Sequence, residues 1–161
     1  MDIFYEQFIT KDYGDIQKKF QSVRNTLVIL AMISAVFVGT FGVVTFLMGY
    51  VILGLIARNL FLEYEYEITE NELVITKIMN KKKRKVITTL NIEKLVNAYS
   101  LEEANNKNIR VVNACIEDDK KLKEKILVIN RDSKLVGFRV AMDKKLLSIC
   151  RKLNPMCFNS L

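Results

Sequence analysis

Five consecutive cations, Lys81, Lys82, Lys83, Arg84 and Lys85, are the most concentrated chemical feature of the sequence. Such a run attracts anionic headgroups, each Lys or Arg near a charged bilayer contributing about 1 kcal/mol. It also has a plainer reading, as a solubilising turn that obeys the positive-inside rule. Other reactive side chains are sparse. The chain has no histidine, which removes the usual general base, the usual metal ligand and the partner of a nucleophilic serine or cysteine. It carries no Walker phosphate loop and no GxGxxG, and the acidic pairs Glu102-Glu103 and Asp118-Asp119 lie among lysines as solvated loops would. Cys115 falls in a predicted strand and Cys150 on the apolar face of a predicted helix, where both serve as small core residues; Cys157 is less constrained. Three cysteines without a CxxC pair make no disulfide framework and fit free thiols in a reducing compartment. These residues predict a non-enzymatic protein with no catalytic, cofactor or metal site.

The elements that must position the basic run begin with a membrane segment. Asn25 to Ala57 carries no charge, and from Leu27 to Ala57 only Ser34, Thr40, Thr45 and Tyr50 interrupt the apolar residues. No soluble helix needs apolar residues on every face over that length. A single straight helix over Leu27 to Ala57 would measure about 46 Å, well beyond a hydrocarbon core of about 30 Å. The alternative is a hairpin of two short helices, Arg24 to Val38 and Val43 to Arg58, turning at Gly39-Thr40-Phe41-Gly42, with local bilayer thinning where the arms are short. Charge favours the hairpin, because Lys18, Lys19 and Arg24 precede the segment and Arg58 follows it; both termini are then cytosolic and the protein is a multi-pass protein of the cell membrane. The glycines also suit ordinary helix packing through small residues. The opening stretch is too mixed in charge for a signal peptide, so the apolar segment is expected to stay. Phe4, Tyr5, Phe8 and Ile9 would cluster on an interfacial amphipathic helix broken at Gly14, or the terminus is frayed.

After Arg58 the pattern changes. Glu63 to Thr69 alternates acidic and apolar residues, predicting a half-buried strand with Tyr64, Tyr66 and Ile68 inward and the glutamates outward. Glu70-Asn71 reads as a turn into a second strand, Glu72 to Met79, and the basic run as a turn into Val86 to Leu90. Further strands are expected at Leu95 to Tyr99, Ile109 to Ile116, Lys125 to Ile129 and Leu135 to Val140, with loops at Leu101 to Lys107 and Glu117 to Glu124 and a tight turn at Arg131-Asp132-Ser133. Between Asn91 and Lys107 the IEKLV stretch reads equally as a helical turn, which lowers the count from seven strands to six. The last element carries Leu146, Ile149, Cys150 and Leu153 at helical spacing, with Asp143 as its cap and Pro155 as its stop.

Strands followed by one closing helix resemble the pleckstrin-homology-like (PH-like) fold, a bent antiparallel sheet of six or seven strands with a C-terminal capping α-helix. More narrowly, a helical membrane hairpin running into EYEYEITENELVITKI, a basic turn and DKKLLSICRKLNP resembles an uncharacterised family of small Gram-positive bacterial membrane proteins with an N-terminal helical hairpin and such a domain. The implied division is an N-terminal cytosolic or interfacial segment at 1–23, a transmembrane hairpin at 24–58, a PH-like domain at 62–155 and a tail at 156–161. The resemblance carries over no catalytic residue.

Geometry connects the basic run to the bilayer. The first strand runs some 26 Å away from the membrane at about 3.3 Å per residue, and the second returns the same distance, bringing Lys81 to Lys85 back toward the headgroups. The expected partners are the lipid bilayer, anionic headgroups, and a protein partner or a second copy of the chain. Nucleic acid would use the same charges, but one basic turn without an aromatic platform supports it poorly. The reading is a membrane-anchored PH-like domain that contacts anionic lipid or docks a protein. Its alternative is an assembly or scaffold subunit of an oligomeric membrane complex or transporter. Addition of a peptide strand to a sheet edge is a third use.

Overall fold

The apolar run folds as two helices. In the computed structural model, which describes residues 3–107, 109–116, 122–131 and 133–158, α1 spans Gly14–Phe37 and α2 Thr40–Leu60. The chain divides into two units, one of residues 12–62 with 79–83, the other of residues 1–11, 63–78 and 84–161.

In the helical unit, α1 packs against α2. Both are longer than the expected arms: 24 and 21 residues correspond to about 36 and 31 Å, so neither is short against a core of about 30 Å. The turn is also tighter than the expected four residues. Val38 and Gly39 both donate to the Ser34 carbonyl, at 2.8 and 2.9 Å, and Gly39 takes φ 77°, a left-handed conformation that favours glycine. Gly42 lies inside α2, where a Cβ would come within 2.9 Å of the Ser34 Cβ. It therefore serves close helix packing, as small residues do in membranes. Gly14 starts α1, its N–H donating to Asp12 Oδ1 at 2.9 Å. At the open end of the hairpin, the Phe61 ring meets Tyr13 and Phe20 edge-on, with centroids 5.3 and 5.5 Å away.

The second unit holds two four-stranded sheets, ordered β1-β2-β3-β4 and β5-β7-β8-β6. The first comprises β1 (Phe4–Ile9), β2 (Leu62–Thr69), β3 (Glu72–Met79) and β4 (Lys83–Asn91). The second comprises β5 (Asn97–Tyr99), β6 (Arg110–Asn113), β7 (Lys123–Arg131) and β8 (Lys134–Met142). Tyr66, Ile68, Leu73, Ile75 and Leu90 of the first sheet share one core with Leu127, Phe138 and Val140 of the second. Helix α4 (Lys144–Leu153) closes that core with Leu146 and Cys150, and α5 (Pro155–Phe158) adds Cys157 and Phe158. As expected, Asp143 caps α4, its Oδ1 accepting from the Leu146 N–H at 2.7 Å.

Four expectations need correction. Phe4–Ile9 is neither an amphipathic helix nor a frayed end but a strand, antiparallel to β2 with Phe4 opposite Thr69 and Ile9 opposite Tyr64. The opening segment thereby belongs to the sheet unit. Gln7 fixes it there: its buried amide donates to the Ala141 carbonyl at 3.0 Å and accepts from the Asp143 N–H at 3.1 Å. The strands number eight among the described residues, and β6 runs parallel to β8. Leu101–Asn106 is a short helix, α3, begun by a capping box in which Ser100 and Glu103 satisfy each other's backbone N–H. Cys157 is buried, its thiol 3.3 Å from the Leu95 carbonyl. In the ambiguous middle, Ile92–Lys94 forms a single 3-10 turn ahead of the three-residue β5. Asp118, Asp119 and Asp132 lie outside the described residues.

Candidate functional site

The basic run straddles a turn and the start of a strand. Met79 accepts from the Lys82 N–H at 3.2 Å, and the two residues between, Asn80 and Lys81, have φ of 51° and 56°. Positive φ at both central positions marks a type I′ hairpin turn, whose twist matches its flanking strands. Asparagine is well suited to it; lysine is not, because a Cβ in the left-handed region costs roughly 1–2 kcal/mol. Lys83, Arg84 and Lys85 open β4. All five side chains are exposed.

The turn is held to the helical unit by its backbone. The Asn80 N–H donates to the Phe61 carbonyl at 2.7 Å, and residues 79–83 group with the helices. Lys81, Lys82 and Lys83 thus stand at the open end of the hairpin, with Lys18, Lys19 and Arg58 in the same unit, while residues 25–57 carry no charge.

Arg84 is committed elsewhere. Its Nη1 lies 3.1 Å from Glu65 Oε2 and donates to Oε1 at 3.3 Å. Glu65 is only 6 % exposed, although it shares the outward face of β2. Burial pushes its carboxyl above the ordinary glutamate range, and a hydrogen bond with Glu6 adds to the rise, while Arg84 opposes it. The pattern of the sequence did not signal this pair, because alternation along one strand says nothing of what lies over its outer face.

Two further features were not legible beforehand. Tyr5 donates a hydrogen bond to Asp143 Oδ2, which pushes the phenol up to about 12, and the Lys145 ammonium lies 4.4 Å from the centre of its ring. In the hairpin, the Arg24 guanidinium lies 4.3 Å from the centre of the Tyr50 ring. Burial likewise raises the Cys150 thiol to about 12, so it stays protonated within the core. Among the described residues no group of three His, Cys, Asp or Glu side chains is placed to hold a metal.

Among the described residues, eight strands in a bent two-sheet arrangement, closed by a C-terminal helix and interrupted after β1 by two long apolar helices, define a PH-like domain carrying a helical hairpin. The chain belongs to the family described as Bacterial PH-like domain (DUF6106), whose match covers residues 1–160. Neither the curated proteins nor the solved structures contain a match to it. Membership of a PH-like family supports an interaction module for lipid or protein, and the two helices are long and apolar enough to cross a membrane.

Proposed function

We propose that the chain is a non-enzymatic integral membrane protein of the cell membrane, in which a helical hairpin anchors a cytosolic PH-like domain that contacts anionic lipid through Lys81, Lys82, Lys83 and Lys85. Arg84, paired with Glu65, contributes less. The observation that carries this reading is the Asn80 to Phe61 hydrogen bond, which ties the lysine turn to the end of α2. Headgroups lie where such a helix leaves the hydrocarbon, and several cations there act together before screening. A lysine in a left-handed turn position adds support, since strained backbone recurs at functional sites.

Register supports the sidedness. Ile9 and Tyr64 face each other across β1 and β2, so the chain enters and leaves the helical segment from one sheet. Two crossings satisfy that closure; one does not. The excess of cations at the open end then favours the cytosol for that side.

The test uses a chain in which residues 12–60 are replaced by an Asn-Gly connection, which keeps β1, Phe61 and the turn. Cosedimentation with phosphatidylglycerol vesicles but not phosphatidylcholine vesicles, weakened by salt and lost when Lys81, Lys82, Lys83 and Lys85 become Gln, is the expected result. Equal behaviour of the two versions with both lipids shifts the weight to protein docking or to assembly through the hairpin.

A further inference from the structure

Strand β1 ends its sheet, so among the described residues one of its edges has no neighbouring strand. The Ile3 carbonyl accepts from the Glu70 N–H at 2.8 Å, one position beyond the pairing of Phe4 with Thr69. Antiparallel ladders alternate, so Tyr5, Gln7 and Ile9 turn their backbone groups toward β2, and Phe4, Glu6 and Phe8 turn theirs to the open edge. The same three residues carry the outward side chains, and Phe4 is 63 % and Phe8 52 % exposed. A row of open backbone donors and acceptors therefore runs beside two exposed aromatic rings.

Natural sheets blunt such an edge with lysine, proline or a bulge. The opposite edge of this sheet does so, since β4 opens on Lys83, Arg84 and Lys85. β1, reading FYEQFI, has neither lysine nor proline. Its one charge lies among other acids: Glu6 stands directly opposite Glu67 and is hydrogen-bonded to Glu65. Like charges facing each other across strands are destabilising, and Arg84 bonds Glu65 rather than this pair. A cation from outside would offset that excess of carboxylate. A strand laid along the edge sets one residue opposite Glu6 and its second neighbours on either side opposite Phe4 and Phe8, all on the outward face. A cation in the middle with an apolar residue beside each ring suits what the edge presents. The β1 of a second copy suits it poorly, because the register that pairs Phe4 with Phe8 of the copy sets Glu6 against Glu6.

We propose that the open edge of β1 binds an extended segment of a partner protein with the pattern apolar-x-Lys/Arg-x-apolar, its cation paired with Glu6 and its apolar side chains against Phe4 and Phe8. Backbone hydrogen bonds along the edge supply affinity, and the alternate side chains supply specificity. This edge is a different surface from the basic turn, and its use does not require that the helices cross a bilayer.

Fluorescence anisotropy of the labelled peptide Thr-Val-Thr-Arg-Thr-Val-Thr, titrated with the full chain in detergent at physiological salt, tests it. Saturable binding is expected, about tenfold weaker when the peptide carries Glu in place of Arg and lost when its Arg and both Val are N-methylated, which removes the strand donors. Glu6→Gln should weaken the Arg peptide by about fivefold, as for one exposed ion pair, and Glu6→Lys should reverse the preference toward the Glu peptide. Phe4→Ser combined with Phe8→Ser should weaken both peptides, while Gln at Lys81, Lys82, Lys83 and Lys85 should leave the preference for Arg in place. Circular dichroism confirms that each variant keeps its fold, and the charge and serine variants check each other if one of them does not. Absence of saturable binding overturns the proposal. So does equal binding of the Arg and Glu peptides, or binding that survives N-methylation. Self-association in sedimentation velocity that the serine variant loses, with no peptide bound by the wild type, overturns it too and assigns the edge to a second copy of the chain.

Discussion

The two units are rich in the same apolar residue types and arrange them in opposite ways. In the sheet unit Tyr66, Ile68, Leu73 and Ile75 are sealed from solvent. In the hairpin Phe37 is 82 % and Phe41 80 % exposed, and the buried residues are the small ones, Ala31, Ser34, Gly42 and Ala57. A water-soluble fold hides large side chains and tolerates small ones anywhere. Two helices in hydrocarbon gain nothing by hiding leucine or phenylalanine from lipid, so small residues go to the contact and large ones outward. The contrast supports the proposed membrane anchor, and each substitution below acts on one side of it.

The largest effect is expected in the sheet core. The Tyr66 hydroxyl donates to the Ala114 carbonyl at 2.6 Å and accepts from the Ala141 N–H at 3.2 Å, bridging the two sheets. Tyr66→Ala should lower unfolding stability by about 3–5 kcal/mol, as other large aromatic truncations do, and Tyr66→Phe by about 1–3 kcal/mol for the stranded polar groups. Chemical denaturation of the full chain in detergent, followed by tyrosine signal, measures both. A loss under about 1 kcal/mol in Tyr66→Ala would mean that the two sheets do not share this core.

In the hairpin the same logic runs in reverse, since adding bulk should harm where removing it harms the core. Gly42→Leu drives a side chain into Ser34 and should cost about 1–3 kcal/mol of helix packing, whereas Gly49→Ala, with 3.6 Å to Leu27, should be nearly neutral. Thermal melting of the helical signal in detergent separates them. Equal melting of the two variants would break the claim that α1 and α2 meet through small residues.

Legibility differed between the units for a related reason. A long apolar helix is announced by composition alone, so the hairpin was readable from the uncharged run, and its limits shifted mainly because Gly14 to Val23, a mostly polar stretch, extend α1 beyond the expected arm. Strand β2 showed itself by alternation, β3 by the turn before it, β7 and β8 as apolar and β-branched runs, and α4 by Asp143 and its spacing. β1 did not. Its aromatics fall on both faces, Phe4 and Phe8 outward and Tyr5 inward, and its inward Gln7 is buried only because backbone groups 134 and 136 positions away satisfy it. The parallel contact of β6 with β8 likewise has no local signature. The Ser100–Glu103 box could have been found, but six residues of helix lie within what a loop reading absorbs. Of the candidate site, the charges were visible; their tether, the Asn80 to Phe61 bond, joins residues whose proximity only the folded chain creates.

A pH titration should sharpen the account of the outer sheet face. The folded pKa of Glu65 is raised, chiefly by burial, so its protonated form is favoured in the native state. Its contribution to stability is therefore fully present below the unfolded glutamate value of about 4.3 and is lost as pH rises through the folded value. Relative to Glu65→Gln, which does not titrate, the wild type should gain stability as pH is lowered from 7 toward 4.3. A difference that stays constant or moves the other way would mean that the Arg84 pair, rather than burial, sets this carboxyl.

The smallest effect bears most directly on function. Lys81 occupies a left-handed position that glycine adopts freely, so Lys81→Gly should raise stability by about 1 kcal/mol while removing one charge from the turn. Lys82→Gln removes a charge without touching that strain and should leave stability within about 0.5 kcal/mol. If the turn meets anionic lipid, both variants should bind phosphatidylglycerol vesicles more weakly, each by roughly fivefold to tenfold for one cation near the surface. Stability and binding would then move in opposite directions in Lys81→Gly. A gain in stability with binding unchanged would mark the lysine as a solubilising residue at a strained turn, and would shift the recognition role of the domain to another surface.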